Sequence, residues 1–451
     1  MNTPARDFIR SRRKTPIFKL GHKAPLSINP VYTPGSSPGR RMGLIALGMA
    51  VTGFLAAASP LPAQLVLGQY EDEAPFRTWN TFPFVGAPRL ALGETGLACV
   101  GDATAALSNP ALLLKLSRWT ITLNGSFQAA DFFRYGPVNT GVISSTANLS
   151  GSEIGLDFGA VAYRGERWAL SVAAGIQESY GRPPVDLKIS NGRDVYYENS
   201  FDQSGFLRIM TVSAAHRLCR TIGIGLGLNY AWGSLYRTSM EERALAGYKT
   251  TDEIIQNLSG ISFHGGLTWD PSEKLTLALA VRSPTARKAR SLSRLRFEAS
   301  SAATDILIED SSTDIQRQPW VIGLGAAFRA IDGLTLSADA FYYAWSRYNP
   351  DYFGEPLGRN FRDILRLGAG IEYLSSLRLF GRKYGYPLRL GFLYDPQPMK
   401  NPHSAYGVVS FGSGIHGKTA HFDLGTALGK ETGSGRGLTV RKIALTMSLH
   451  F

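Results

Sequence analysis

The last eleven residues of the chain limit most strongly what it can fold into. Between Arg441 and Phe451, apolar residues alternate with small or polar ones. The apolar positions are Ile443, Leu445, Met447, Leu449 and Phe451. This period of two predicts a β-strand with one apolar face, and about ten tilted residues are enough to cross the hydrocarbon core of a membrane. In a soluble protein this strand would be an exposed edge prone to aggregation, whereas a closed membrane barrel requires such a last strand.

The same alternation recurs from residue 118 onward and divides the chain into about fourteen predicted strands. They are 118–128, 153–163, 167–177, 205–217, 220–234, 258–269, 274–282, 319–329, 333–345, 363–373, 387–395, 405–414, 418–428 and 441–451. The terminal strand, which ends on an aromatic residue, resembles the C-terminal signal of bacterial outer-membrane barrels. The sequence therefore predicts an all-β fold, a transmembrane antiparallel β-barrel of about 14 strands.

Connector lengths also alternate along the chain. Short predicted turns, such as 164–166 and 218–219, are followed by longer polar loops, such as 235–257 and 283–318. Short periplasmic turns and long outer loops are typical of outer-membrane barrels, and an even number of strands places both mature termini in the periplasm. The alternative fold, a soluble β-sandwich or solenoid, explains neither this alternation nor the terminal strand.

Aromatic residues fall at both ends of the predicted strands. Those at the periplasmic ends are Trp119, Trp168, Trp269, Tyr373 and Phe451, and those at the outer ends are Tyr230, Trp232, Trp320 and Tyr394. Two such girdles are expected where a barrel meets the two lipid interfaces.

The N-terminus reads as a leader followed by a secretory signal peptide. Segment 43–58 is apolar and uncharged, follows Arg40-Arg41, and precedes small residues with proline. Cleavage after Ala58 or after Ala63 fits this pattern, and we favour Ala63; an N-terminal membrane anchor is the alternative. Nine basic residues and one acid lie before residue 42, so most of the net charge of +13 belongs to the leader and does not indicate nucleic-acid binding.

Cysteine use is sparse, since Cys99 and Cys219 are the only two cysteines. A disulfide between them would be compatible with an oxidising periplasm. Their spacing does not show that they are close in space, so two separate thiols are the simpler expectation.

Segment 90–114 lacks the alternation of a strand. It is rich in alanine and glycine, and Asn109-Pro110 interrupts its helix-compatible pieces. Three of its motifs resemble the N-terminal region of the FadL/OmpP1/TodX family of outer-membrane channels for hydrophobic compounds. The motifs are Ala91-Leu92-Gly93-Glu94, Asp102-Ala103-Thr104-Ala105-Ala106 and Asn109-Pro110-Ala111-Leu112. Glu94 and Leu112 stand where the family pattern has glycine; the later segments 339–347 and 388–398 also resemble the family.

The resemblance implies a domain organisation and a mechanism. Residues 64–117 would form a hatch that plugs the lumen, with the hatch motif at Asp102, Asn109, Pro110 and Ala111, between a leader at 1–63 and the barrel at 118–451. A lateral opening is expected at the third strand, where Gly175 is a candidate bend. PorV-like secretion-accessory barrels share the N-terminal pattern.

The lumen face of the predicted barrel carries charged residues. If lipid-facing positions are the apolar ones, the lumen side holds Asp157, His264, Arg282, Asp339, Arg366, Glu372, Arg389, His421 and Asp423. These residues are expected to pair with one another and with the hatch. Alternatively, Arg282, Arg366 or Arg389 meets the carboxylate of a ligand, which suits the geometry of arginine. Glycines on the same face, such as Gly225, Gly325 and Gly370, leave room for a plug or an acyl chain.

No enzymatic or metal motif stands out in the sequence, and we expect neither a catalytic activity nor a cofactor. The pattern favours a channel for passive uptake of hydrophobic compounds, such as long-chain fatty acids or hydrocarbons. The alternatives are an accessory component of a protein secretion or assembly system and a general porin. The expected partners are the hydrophobic ligand, outer-membrane lipid and lipopolysaccharide, and the barrel-assembly machinery, with the protein itself a monomer.

Overall fold

The structure, a computed structural model, describes part of the chain. The described residues are 85–99, 101–132, 144–148, 150–181, 185–190, 193–299, 305–348, 351–352, 355–356, 361–379, 381–398, 400, 403–433 and 438–451. The predicted leader and signal peptide (1–63) and the first part of the predicted hatch (64–84) lie outside these residues. Within the described part of the chain, no helix is both long and apolar enough to cross a membrane.

Strands dominate the described residues. In chain order they are β1 (Trp119–Phe132), β2 (Ser144–Asn148), β3 (Ser150–Arg164), β4 (Trp168–Ser179), β5 (Val185–Ser190), β6 (Val195–Arg217), β7 (Ile222–Arg243), β8 (Tyr248–Ser272), β9 (Leu275–Arg282), β10 (Thr285–Ala299), β11 (Ile306–Gln318), β12 (Val321–Ile331), β13 (Leu334–Tyr343), β14 (Asp351–Tyr352), β15 (Glu355–Pro356), β16 (Ile364–Leu379), β17 (Arg382–Pro396), β18 (Ala405–His416), β19 (Ala420–Thr432) and β20 (Leu438–His450).

Fourteen of these strands form a closed antiparallel barrel, as predicted. The barrel closes because β20 pairs with β1 in register, from Thr120 opposite His450 to Phe132 opposite Leu438. The remaining strands lie beyond the rim that carries the longer connectors. We call this the long-connector rim, and the opposite one, which holds the beginning of β1 and the end of β20, the short-turn rim.

Side chains alternate between the two faces of the wall as the sequence pattern predicts. In β7, Leu226 is 72% exposed on the outer face, whereas Gly225 and Gly227 are buried on the lumen face. Each predicted strand overlaps one barrel strand, because each spanning segment must present apolar side chains to lipid on every second residue.

Several of the predicted outer loops are wrong. The predicted loop 178–204 contains β5 and the beginning of β6. Segments 235–257 and 283–318 are largely strand, since β7 and β8 continue beyond the rim and the hairpin of β10 and β11 pairs with the outer part of β8. The reason is that these ladders extend above the level at which lipid requires an apolar face. Polar and apolar residues are mixed on both faces there, so the alternation of the sequence fades while the hydrogen-bonded ladder continues.

The segment before the barrel contains three short helical turns. They are α1 (Ala87–Ala91), α2 (Ala105–Ser108) and the 3-10 helix η1 (Pro110–Lys115). Asn109 ends α2 and caps η1, because its side-chain oxygen accepts a hydrogen bond from the backbone N–H of Ala111 at 3.2 Å. The predicted break at Asn109-Pro110 is therefore present, and proline stands at the first position of η1, where its missing N–H costs nothing.

Candidate functional site

Residues 85–117 lie inside the barrel, and their backbone packs on glycines of the wall. A Cβ atom at Gly391 would lie 1.9 Å from the backbone nitrogen of Gly93, and one at Gly225 would lie 2.6 Å from that of Ala111. Gly368 and Gly370 face the backbone of this segment in the same way, and Gly323 and Gly325 face the side chain of Leu97. Any larger side chain at these positions would collide with the inserted segment, so chain rather than ligand occupies the space that these glycines leave.

Polar side chains of the wall hold the inserted segment in place. The carboxylate of Asp339 accepts hydrogen bonds from the backbone N–H groups of Gly96 and Leu97 at 2.8 and 2.9 Å. The hydroxyl of Thr446 accepts one from the N–H of Ala87 at 2.7 Å. These bonds satisfy backbone donors that the turns of a short segment leave open, and they fix its position at several points around the wall.

The four residues of the predicted hatch motif stabilise the local conformation of the inserted segment. Asn109 Nδ2 donates to the carbonyl of Leu97 at 2.8 Å and so ties two parts of the inserted segment together. The carboxylate of Asp102 accepts from the backbone N–H of Thr104 at 2.9 Å and from its hydroxyl, and burial raises the pKa of Asp102. Pro110 and Ala111 rest on Gly225. These four residues shape the segment, and their role as a functional hatch stays a prediction.

Arg366 connects the inserted segment to the wall. Its Nη2 lies 3.1 Å from a carboxylate oxygen of Glu94, and its Nε lies 3.6 Å from one of Asp395. All three side chains are at most 4% exposed. Glu94 holds this position in a left-handed backbone conformation, with a φ of 61°, which L-residues adopt only at a cost. The family pattern has glycine there, so the ion pair to Arg366 accounts for the glutamate.

Arg389 is neutralised on the wall itself. Its Nε donates to Glu372 at 2.6 Å and its Nη1 to Asp423 at 2.5 Å. The group borders a cavity of about 220 Å³. His416, His421, Arg89 and Asp102 also line it, together with apolar residues such as Leu92, so this cavity has a mixed polar and apolar lining.

Arg282 lies near the long-connector rim, beside a buried ion pair. Arg287 on β10 makes two bonds to the carboxylate of Glu178 on β4, at 2.5 and 3.0 Å. Arg282 is 6% exposed and interacts electrostatically with both members of this pair and with Tyr343. The structure thus brings together two arginines and one glutamate above the inserted segment, and leaves Arg366 and Arg389 with their own carboxylates elsewhere.

The ladder between β3 and β4 is interrupted. The two strands pair from Arg164 opposite Ala169 to Phe158 opposite Gly175 and then separate. Among the described residues, no ladder joins 150–157 to 176–181. Pairing resumes further out, between β2 and β5. We call this bounded interruption of the wall the β3–β4 seam.

The end of β4 separates from β3 beyond Gly175 but stays paired with β6, and it contains a β-bulge. Gln177 is the extra residue, since the register against β6 shifts between Ile176 and Glu178. Gln177, Glu178, Ser179 and Tyr180 are all buried, so this end of the strand leans into the lumen, where Arg287 binds Glu178. The predicted bend at Gly175 lies two residues from the bulge, and Gly175 itself is the last paired residue at the lower border of the seam.

Aromatic side chains fill the lumen between the seam and the long-connector rim. Trp345, Tyr348 and Phe361 pack edge to face, with ring centroids 5.4 Å apart in each contact. They form one buried apolar cluster with Leu97 and Ala98 of the inserted segment. Tyr180 belongs to a second apolar cluster with Leu207 and Ala289. Among the described residues, the lumen above the inserted segment therefore holds these two apolar clusters beside the pair of Glu178 and Arg287 and the neighbouring Arg282. Buried polar side chains such as Gln256 and Gln316 lie on the same face of the outer strands.

Sequence reasoning missed several residues that shape this site. It did not single out Glu178, Arg287 or Gln177, because a bulge leaves no composition signal and reverses the inward and outward positions that follow it. One sequence signal was present, namely an arginine, Arg287, in a largely polar segment. Alternation does not show which strands this segment pairs with, so the signal did not place Arg287 in the lumen. The lumen positions of Asp339, His264 and Asp423 follow the predicted face, and each is buried.

Metal binding has no support among the described residues, where no group of three or more His, Cys, Asp or Glu side chains is arranged to hold a metal ion. Cys99 and Cys219 are both free thiols. Cys99 lies in the inserted segment and borders the cavity beside Arg389, whereas Cys219 is exposed on the turn between β6 and β7.

A family model matches most of the chain. It is described as BamG, and it covers residues 98–442, which include nearly the whole barrel and much of the inserted segment. The chain belongs to the BamG family. No curated protein sequence matches this BamG-family chain.

Solved structures show the same fold at low sequence identity. The CymD monoaromatic hydrocarbon channel superimposes with a TM-score of 0.60 at 16% identity, covering 82% of this chain and 98% of CymD. A FadL homologue from Pseudomonas aeruginosa gives 0.60 at 13%, covering 83% of this chain and 100% of the other. The toluene transporter TbuX from Ralstonia pickettii gives 0.58 at 17%, with 82% and 99% covered. The predicted resemblance to FadL/TodX barrels is confirmed in the fold of this BamG-family protein.

Proposed function

We propose that this protein carries hydrophobic small molecules, such as long-chain fatty acids or hydrocarbons, passively through the outer membrane of a Gram-negative-type bacterium. The β3–β4 seam is the observation that carries this proposal. A barrel wall without edges is stable in lipid because every backbone group is paired. An interruption at membrane depth is therefore expected only where it serves a purpose.

The filled lumen makes the seam the reasonable exit. Below the seam, the backbone of the inserted segment rests on wall glycines with no space between them. Above it lies the aromatic cluster of Trp345, Tyr348 and Phe361. A hydrophobic molecule would enter among these rings and leave sideways into lipid, while the inserted segment stays in place. Partition of the molecule into the membrane would supply the driving force, with no cofactor or energy source.

An apolar groove on the outer wall adjoins the same strand. It measures about 430 Å³ and follows β3, β1 and β20. The residues that line it include Leu123, Gly125, Phe127, Ile154, Leu156, Ile443 and Leu445. A molecule that leaves through the seam at one edge of β3 would find this apolar groove on the outer surface at the other edge of β3. The groove therefore supports a lateral exit.

The names of the similar structures support this proposal. They describe a monoaromatic hydrocarbon channel and a toluene transporter. We infer for this chain the same broad class of ligand, a small hydrophobic molecule, and the same membrane. We also propose that the short-turn rim, with both mature termini, faces the periplasm and that the protein is a monomer.

If the ligand carries a carboxylate, Arg282 is the best placed of the three predicted arginines. Arg366 and Arg389 are each bound by two carboxylates, and separating them would leave buried charges unpaired. Arg282 lies in the outer lumen, close to the aromatic cluster and beside the ion pair of Glu178 and Arg287.

Binding of a fluorescent fatty acid to the purified protein in detergent tests this proposal. We expect saturable binding that excess oleate displaces, and about tenfold weaker binding after Arg282→Ala, since a hydrogen bond to a charged group contributes roughly 1.5–3 kcal/mol. Arg329→Ala, an exposed arginine on β12, is the matched control and should bind as the parent does. Absence of saturable binding across several chain lengths would contradict the proposal.

A second function, an accessory barrel in protein secretion or assembly, is favoured by one observation. The inserted segment is fixed by the buried ion pair of Glu94 and Arg366 and packs closely on wall glycines. A barrel that serves as a scaffold needs no transport path through this segment. The barrel-assembly machinery would then be a partner of the folded protein. If ligand binding is absent and a defined protein complex is recovered with the barrel from membranes, this second function replaces the first.

A further inference from the structure

The hairpin of β10 and β11 carries three cations on the outside of the barrel. Lys288 and Arg290 on β10 and Arg317 on β11 are exposed, whereas their chain neighbours Arg287, Ala289 and Gln316 are buried on the lumen face. Because side chains alternate along a strand, the three cations point away from the lumen. We call them the outer basic patch.

The register places these three charges close together. Arg317 lies opposite Ala286, and Lys288 lies opposite Ile315, so Arg317 and Lys288 are diagonal neighbours on one face, about 7–8 Å apart. Arg290 follows Lys288 by two residues on the same strand, which separates them by roughly 7 Å. The patch therefore spans the width of a headgroup that carries more than one phosphate.

No carboxylate neutralises the patch within the described residues. The side chains opposite Lys288 and Arg290 are neutral, namely Ser259, Asn257, Ile315 and Thr313. Other cations of the same hairpin are paired, as Arg294 is with Glu309 at 2.9 Å. Because three cations lie side by side with neutral residues opposite Lys288 and Arg290, an anion from outside the protein would supply a favourable counter-charge.

The patch lies at the level of the outer aromatic girdle. Lys288 and Trp232 both lie opposite the same residue of the strand between them, Ser259 of β8. Ala286 and Tyr230 both lie opposite Ile261. Tyr230 and Trp232 stack with centroids 5.6 Å apart, and such aromatic rings mark the interface between lipid and water. Exposed Ile261 and Ile315 on the same face supply apolar surface for acyl chains beside the charges.

We propose that the outer basic patch binds the phosphorylated glucosamine headgroup of lipopolysaccharide in the outer leaflet. Lipopolysaccharide suits it because its lipid portion carries two phosphates above several acyl chains, which matches a group of cations above exposed isoleucines. The inference rests on the proposed outer-membrane location, but not on the transported ligand. Binding there would hold the lipopolysaccharide layer against the wall beside β8.

Lipopolysaccharide that remains with the protein through detergent purification tests this proposal. The test variant is K288Q/R290Q/R317Q, and the matched control K274Q/R382Q/K383Q removes three exposed cations at the short-turn rim. We expect more than tenfold less retained lipopolysaccharide in the test variant, since each cation near an anionic membrane surface contributes a factor of about five. The control should retain as much as the parent.

A second experiment identifies the headgroup. It measures how tightly lipid A, dephosphorylated lipid A and phosphatidylglycerol rebind to delipidated protein. Lipid A alone should bind tightly and depend on the patch. Equal retention by the test variant and the parent, or equal binding of dephosphorylated lipid A, would overturn the proposal. So would equal, patch-dependent binding of phosphatidylglycerol, or patch-dependent recovery of an acidic protein without any change in lipid. Fatty-acid binding, measured in parallel, shows separately whether the transport proposal holds, and heat-modifiable migration in gels confirms that each variant folds.

Discussion

At the scale of residues, buried charges decide how the inserted segment is held. The sequence places Arg366, Asp339 and Asp423 on the lumen face correctly, because alternation fixes the face of every strand residue. It does not show their partners. Glu94 and Arg366 are far apart in the chain, and their contact depends on how deeply the segment enters the barrel. This depth follows from glycines whose role is visible only when a second backbone packs on them.

Replacement of Glu94 by glycine tests the balance between backbone strain and ion pairing. The change relieves the left-handed backbone, worth about 1–2 kcal/mol, but removes a partner from fully buried Arg366, which typically costs roughly 3–5 kcal/mol. We therefore expect E94G to lower the free energy of unfolding by about 1–4 kcal/mol, as measured by urea titration in lipid or detergent.

The control for this variant is E94G/R366M/D395N, which removes Arg366 together with both of its carboxylate partners. It should recover part of the loss, because neither an unpaired guanidinium nor an unpaired carboxylate remains. Equal or greater stability of E94G relative to the parent would show that the ion pair does not stabilise the inserted segment.

The two cysteines should differ strongly in reactivity. Burial raises the pKa of the Cys99 thiol to about 12, whereas a hydrogen bond with Thr221 lowers the pKa of exposed Cys219. Since the thiolate is the reactive form, a membrane-impermeant maleimide at pH 7.5 should label C99A as fast as the parent and should not label C219A.

Cys219 should react in cells only after the outer membrane is permeabilised, because its turn lies at the proposed periplasmic rim. Labelling of Cys219 in intact cells would reverse the proposed orientation.

At the scale of elements, the wall is readable from the sequence and the seam is not. Strands in contact with lipid need an apolar residue at every second position, so their existence and faces follow from alternation. The outer parts of β7, β8, β10 and β11 escape this reading because water, not lipid, surrounds them. The bulge at Gln177 escapes it too, since one extra residue changes the path of β4 without changing its composition.

Deletion of Gln177 should close the seam. Without the extra residue, the register of β4 against β6 would run without a shift, and the strand would continue in the wall beside β3. We expect fatty-acid uptake by cells that carry this variant to fall more than tenfold, with normal folding. Gln177→Ala keeps the residue count and should transport as the parent does. Normal uptake after the deletion would show that the bulge is not needed for transport.

At the scale of the whole molecule, the structure combines a closed barrel, an inserted segment and an interrupted ladder between two strands. In the proposed route, the inserted segment would block the axis, the aromatic residues above it would form an apolar entrance, and the β3–β4 seam would open towards lipid. The sequence predicts the barrel and the presence of a plug, because both have periodic or motif signals. It cannot predict which route a ligand takes, since this depends on which ladder is interrupted.

The most direct test of the lateral route is uptake with the inserted segment locked to the wall. The hydroxyl oxygens of Thr95 and Ser337 are 2.6 Å apart, so T95C/S337C in a C99A background places two thiols within reach of a disulfide. Fatty-acid uptake into proteoliposomes would be measured with this lock oxidised and then reduced. The lateral account predicts equal uptake in both states. Uptake that is lost on oxidation and restored on reduction would show that the ligand passes along the axis, and it would contradict the account.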